Sequence, residues 1–178
     1  PDRLRLVNVN DENLRINVDT GATTVDGTLA YAAADPNFGV NPNVTEVAYI
    51  NNDTDPVTGT QLYYLDTQLS ILATTSNPNG GVLNTVGSLG APPTDLSGFD
   101  ILTTAGGSNR AYALLSQNNV TSLYKINLST GAASLVGALP PTGFPYFGLA
   151  IAPIPEPTSL ALIALGGAVM LLRGRRRH

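Results

Sequence analysis

The sequence contains no cysteine and no tryptophan, and its single histidine is the last residue, His178. The absence of cysteine excludes a disulfide framework and every thiolate metal site. Because no histidine lies in the main part of the chain, a histidine general base and a histidine metal triad are excluded there as well. The chain therefore lacks the residues on which most metal centres and hydrolase triads are built.

Charged residues are also scarce, at 12% of the 178 residues. Eighteen glycines and thirteen prolines favour many turns and few solvated helices. Residues 1–152 hold twelve acidic and five basic side chains, which gives this part of the chain a net charge of −7. That charge has the wrong sign for nucleic acid or an anionic membrane surface, so we expect no nucleic-acid partner.

Three stretches of residues 1–152 share one pattern of alternating apolar residues, which is typical of half-buried strands. Each first strand ends in Asn or Asp followed by small polar residues, which favours a turn into a second strand. The pairs of stretches are Leu14–Gly21 with Val25–Leu29, Leu62–Thr67 with Val86–Leu89, and Leu123–Gly131 with Val136–Leu139. This pattern predicts a repeat whose second copy carries an insertion.

Additional strands extend each copy of the repeat. One strand precedes each copy and closes in an Asn-rich turn, at Asn10–Asp11, Asn51–Asp53 and Asn118–Asn119. The strand pattern Gly98–Ile101 also recurs fifty residues later as Gly148–Ile151. A unit of about fifty to sixty residues with four short strands is typical of a β-propeller blade. We therefore predict an all-β fold, a partial β-propeller-like repeat of four-stranded antiparallel units; an open meander or sandwich is the alternative.

Residues 153–178 form a separate tail that consists of a turn, an apolar run and a basic end. Pro155-Glu156-Pro157 precedes the thirteen uncharged residues Leu160–Leu172. The predicted apolar helix, over 158–172, is shorter than the roughly twenty residues that cross a bilayer. The basic end, 173–178, contains Arg173, Arg175, Arg176 and Arg177. A short transmembrane helix with a cytoplasmic basic end suits a signal that is held briefly and then removed.

This order of parts resembles the PEP-CTERM sorting signal of Gram-negative bacteria, whose motif would be Pro155, Glu156 and Pro157 here. In that family the tail is thought to be processed by a membrane enzyme called exosortase, in bacteria that make exopolysaccharide. The resemblance implies exosortase and the membrane as partners, with exopolysaccharide as a further candidate. It also implies a transient stay in the inner membrane and a destination in the cell envelope or extracellular matrix. A plain C-terminal anchor is the alternative.

Two further expectations concern export: which enzyme processes the chain, and whether a signal peptide precedes it. Leu139–Gly143 matches the Leu-Pro-x-Thr-Gly pattern of Gram-positive sortase substrates, but about sixteen residues separate it from the apolar run and Leu139 already belongs to the repeat. We therefore favour the exosortase interpretation. Because an exported chain needs a leader and this one begins at Pro1, we expect it to be truncated at its N-terminus, with a signal peptide upstream.

Most of residues 1–152 also resemble a bacterial family catalogued as domain of unknown function 4394. The residues that carry the resemblance are Asn13–Asn17 with Asp19–Gly21, Leu29–Tyr31 and Leu83–Gly90. Members of the family often carry an export signal. The resemblance therefore implies the repeat fold and export, and it implies no particular activity.

Residues suited to chemistry are few, and we predict no catalytic residue and no cofactor. Asn51, Asp53 and Asp55 alternate as at the start of a calcium loop, but Pro56 stands where that loop needs glycine. They are weak metal candidates. Tyr64 occupies the position of solvent-facing residues in the sister copies, so we predict that it faces solvent and is the best contact residue.

We predict an exported, non-catalytic surface or matrix module with an exosortase-type sorting tail. One alternative is an exported hydrolase or lyase that uses carboxylates on a propeller channel, which would need two carboxylates close together. A permanently anchored structural protein is the other alternative. Carboxylates converging on a central funnel would favour the enzyme, whereas a lining of Asn, Thr and apolar residues would favour binding.

Overall fold

The computed structural model describes residues 3–52, 57–91, 97–104, 106–142 and 144–152. In these ranges the regular structure is strand, apart from one 3-10 turn at Pro78–Gly80, which confirms the all-β prediction. None of the helical structure found there has the length and apolar character needed to cross a membrane. The helix predicted over 158–172 lies outside the described residues.

The strands are short and follow one another closely along the chain. They are β1 (Arg3–Val7), β2 (Asn13–Asn17), β3 (Thr23–Val25), β4 (Ala30–Tyr31), β5 (Val44–Ile50), β6 (Gln61–Asp66), β7 (Ile71–Thr75), β8 (Val82–Ser88), β9 (Ser97–Thr103), β10 (Asn109–Gln117), β11 (Val120–Ile126) and β12 (Ala133–Ala138).

The strands form three open sheets in which chain neighbours pair in antiparallel fashion. The first sheet is β1-β2-β3, and the third is the four-stranded meander β9-β10-β11-β12. The second sheet is the meander β5-β6-β7-β8, to which β4 adds in parallel beside β8. The described part of the chain therefore contains two four-stranded antiparallel units. The closure of such units into a propeller stays a prediction.

Apolar cores lie on both sides of the second sheet. One core contains Tyr31, Leu62 and Tyr64, and the other joins Leu65 of β6 to Phe99 of β9. Strand β5 lies against β9, and β1 lies against β5. The second sheet is therefore covered by apolar residues on both faces.

Two strand predictions need correction. The residues of β7 were predicted to be an insertion, yet β7 pairs with β6 on one side and β8 on the other. Because β7 is buried on both faces, its residues do not alternate in polarity. The strand predicted at Gly148–Ile151 is not formed. This segment lies beside β9, where the Ile151 amide donates to the side chain of Asp100 (2.7 Å) rather than to a strand backbone.

The same tight turn follows one strand in each sheet. A side-chain oxygen at the start of the turn accepts a backbone amide two or three residues later, and a residue of positive φ follows at the fourth position. The turns run from Asn17 to Gly21 (φ 71°), from Asp66 to Ser70 (φ 53°) and from Asn127 to Gly131 (φ 81°).

Candidate functional site

A buried ion cluster joins the first sheet to the second. The Asp26 carboxylate accepts two hydrogen bonds from Arg15, at 2.7 and 2.8 Å, and a third from Arg5 at 3.2 Å. The side chains of Asp26 and Arg5 are each only 5% exposed, and that of Arg15 is 32% exposed. The hydrogen bond from Arg15 is the largest of the effects that lower the pKa of Asp26.

Arg5 extends this cluster across the gap between the sheets. Its guanidinium also donates to the Tyr49 hydroxyl on β5 (3.0 Å) and to the Asn79 side chain before β8 (2.7 Å). It also bonds the Asn13 side chain and the carbonyl of Pro78. A guanidinium has five N–H donors on three nitrogens, and each nitrogen of this one donates a hydrogen bond within the fold. The cluster is therefore a clamp between sheets rather than a site open to a ligand.

Asp66 is also committed to local structure. One Asp66 oxygen accepts from the Tyr31 hydroxyl (2.8 Å) and the Asn43 amide (3.0 Å), and the other accepts from the Leu69 amide (2.8 Å). Asp35 in the same way accepts from the hydroxyl of Thr85 (2.8 Å). These carboxylates cap backbone groups and fix loops. Their hydrogen-bonding capacity is used within the fold.

Glu46 differs from these carboxylates. It lies at the contact between β5 and β9, and the hydrogen bond described for its side chain is long. The Ser97 hydroxyl donates to Glu46 at 3.4 Å, while Ser97 and Thr45 share a hydrogen bond of 2.7 Å. Burial raises the pKa of Glu46 to about 7. This carboxyl group can therefore hold a proton near neutral pH, which a solvated glutamate does not.

Replacing Glu46 with glutamine is expected to stabilise the protein at pH 8 by about 1–2 kcal/mol, a value discounted for its partial solvent exposure. Between the ordinary pKa of 4.5 and the folded value of about 7, the folded state binds more protons than the unfolded state. Wild-type stability should therefore fall as the pH rises through this window, and the variant should lack that fall. Urea unfolding at pH 5 and pH 8 measures both, with Glu12→Gln in an exposed turn as the control. An unchanged pH profile would contradict this account of Glu46.

Asn51, the described member of the weak metal candidate, lies where β5 ends near β9. Its side-chain amide donates to the Gly59 carbonyl (2.8 Å), and its side-chain oxygen accepts from Asn109 (3.0 Å). Asp53 and Asp55 lie outside the described residues, so the calcium-loop candidate stays a prediction. Within the described ranges no cluster of three or more Asp, Glu or His residues could hold a metal ion.

The prediction that Tyr64 faces solvent is wrong. Its side chain is 0% exposed, because β6 lies in the interior of the second sheet with both faces covered. The aligned Lys125 is exposed as predicted, and the aligned Arg15 instead turns toward Asp26. The alternation of apolar residues gave the wrong face for Tyr64, because it distinguishes the two faces of a strand only when one of them meets solvent.

The other predicted site residues belong to the tail. Pro155, Glu156, Pro157 and the arginines of the basic end all lie outside the described residues. The Arg5–Asp26 clamp and Glu46 were not predicted from the sequence. One signal for them was available in the sequence: charged residues lie inside predicted strands of a chain that has few charges. A charged residue is seldom buried without a partner, so these positions could have indicated buried polar contacts.

Comparison with known families gives two matches. Residues 1–150 match the family described as Domain of unknown function (DUF4394), and residues 153–177 match the PEP-CTERM protein-sorting motif. No curated protein and no solved structure matches the chain. The second match identifies the tail as an exosortase-type sorting signal, and thus the chain as an exported protein. Because the first match covers most of its length, the chain belongs to the domain of unknown function 4394 family.

Proposed function

We propose that the chain is an exported, non-catalytic module whose all-β part, residues 1–152, is delivered to the cell surface or extracellular matrix by its tail. The observation that carries this proposal is the sorting motif at 153–177, placed directly after the all-β part. In the proposed sequence of events, helix 158–172 crosses the inner membrane briefly, exosortase removes it, and the body joins the exopolysaccharide matrix.

The use of the carboxylates supports a non-catalytic role. Asp26, Asp35 and Asp66 each accept hydrogen bonds from within the fold on both carboxylate oxygens. The alternative, an exported carboxylate hydrolase, draws its support from the raised pKa of Glu46. Glycoside hydrolysis needs a second carboxyl group at a matched distance. The group that donates a hydrogen bond to Glu46 is instead the hydroxyl of Ser97, and Ser97 shares its other hydrogen bond with the hydroxyl of Thr45.

We further propose that the sheets are blades of a propeller. Strand β5 lies against β9, and the segment Gly148–Ile151 lies on the other side of β9. A Cβ atom added at Gly98 would meet the backbone of Gly148 at 2.6 Å, so the two backbones touch. Successive first strands packed side by side around one axis are the arrangement expected of blades.

The sorting proposal is tested in the producing cells with the variant Pro155→Ala, Glu156→Gln, Pro157→Ala. We expect the variant to keep its full length and stay with the membrane fraction, while the wild type is shortened and leaves it, because processing requires the motif. Pro140→Ala, in the sortase-like segment, is the matched control and should be processed normally. Normal processing of the triple variant, or blocked processing of the control, would contradict the proposal.

A further inference from the structure

A groove of about 850 Å³ lies between the β10–β11 hairpin and the loop that follows β12. The hairpin contributes Asn118 and Asn119, and the loop contributes Phe144 and Tyr146. Two hydrogen bonds fix the loop: the amide of Leu139 donates to the carbonyl of Thr121 (2.8 Å), and the Tyr146 hydroxyl donates to the carbonyl of Pro140 (2.8 Å). The volume falls within the range of about 300–1,000 Å³ that is usual for small-molecule sites.

The two asparagines bring amide groups to the groove that the fold does not use. They form the two-residue turn of the hairpin with φ of 50° and 63°, which is the turn for which Asn is preferred. Within the described part of the chain neither amide side chain has a hydrogen-bond partner. This differs from Asn17 and Asn127, whose side chains close their own turns. Each free amide offers donors and an acceptor to a ligand.

The facing wall presents apolar surface to the same groove. Phe144 is 81% exposed, and Tyr146 is half-buried with its hydroxyl held by the loop. The same wall also contains Pro140, Pro141 and Pro145. All the residues found to line the groove are uncharged, although residues 1–152 carry a net charge of −7. The groove thus combines amides and ring faces without charge, which disfavours ionic ligands.

We propose that this groove binds a neutral glycan chain. Neutral sugars have hydroxyl groups that exchange hydrogen bonds with amides, and they have C–H faces that pack on aromatic rings and prolines. A proline-rich peptide would use the ring faces, but its backbone offers fewer groups to two free amides. The glycan proposal goes beyond the proposed delivery of the protein and does not depend on it.

The test measures binding of the purified full chain to three soluble neutral polysaccharides: dextran, laminarin and guar galactomannan. We expect binding to at least one of them and about tenfold weaker binding for Phe144→Ala, as for a central ring of a contact surface. The matched control is Phe147→Ala, because Phe147 is also highly exposed (74%) but does not line the groove. This control should bind as the wild type does.

A second variant tests the amides without disturbing the fold. Asn118→Gly, Asn119→Gly keeps the positive φ values of the turn and should also bind several-fold more weakly. Circular dichroism and thermal melting check that each variant is folded. Absence of binding to all three polysaccharides, equal loss in both phenylalanine variants, or binding only to acidic alginate or to a proline-rich peptide would overturn the proposal.

Discussion

Replacing Asp26 with asparagine is expected to lower the free energy of unfolding by about 3–5 kcal/mol, the usual cost of breaking a buried ion pair from one side. The substitution leaves the buried guanidinium of Arg5 without its counter-charge and turns an amide group toward Arg15. Since Arg5 also binds groups on the second sheet, the loss should loosen the contact between the first two sheets. Urea unfolding followed by tyrosine fluorescence measures the change.

The matched control for this prediction is Asp19→Asn in an exposed turn, where the backbone amide of Asp19 donates to Asn17 and its carboxylate has no hydrogen bond to the described residues. This control should change stability by less than about 0.5 kcal/mol. Because the pKa of Asp26 is lowered, its contribution is present above the unfolded value of about 3.8 and is lost as the pH falls through the folded value. Equal stabilities of Asp26→Asn and Asp19→Asn at pH 7 would show that the clamp does not stabilise the fold.

Replacing Gly131 with alanine is expected to destabilise the protein by at least about 3 kcal/mol, for two separate reasons. Gly131 has a φ of 81°, which strains any L side chain. A Cβ atom there would also overlap the carbonyl group of Gly87 in the second sheet. The turn after β11 and the end of β8 would then have to separate. Thermal melting should show a fall of roughly 10 °C in Tm.

Gly21→Ala distinguishes strain from overlap. Gly21 has the corresponding place in the first sheet and a similar φ of 71°, but apart from its chain neighbours no described residue has an atom within 4 Å of an added Cβ. It should therefore cost only the strain, about 1–2 kcal/mol. If the two variants lose the same stability, the close approach of Gly131 to Gly87 does not contribute to the contact between the sheets.

The alternation of apolar residues was a sound guide where one face of a sheet meets solvent. It located the strands that became β1, β2, β5, β8, β10, β11 and β12, because those stretches include exposed or half-exposed positions. It also located β6, but it gave the wrong face for Tyr64 in that strand. It failed for β7 and Tyr64, which lie inside the second sheet. A strand covered on both faces carries no period of two, so its pattern resembles that of an insertion or gives the wrong face.

The polar contacts between sheets could not be predicted from spacing. Arg5 and Asp26 are separated by 21 residues, and Arg5 and Asn79 by 74, so their meeting depends on how the sheets pack. The tail is the opposite case. Its motif, apolar run and arginines are contiguous, and a signal that is recognised as a linear segment can be identified from the sequence alone.

The measurement that tests the central claim most directly is the intact mass of the mature protein, purified from the cells that make it, together with the compartment in which it is found. The account predicts a mass that lacks the apolar run and the arginines after Pro157, in protein recovered outside the inner membrane. A mass that still includes Arg173–His178, in protein recovered from the cytoplasm, would contradict it.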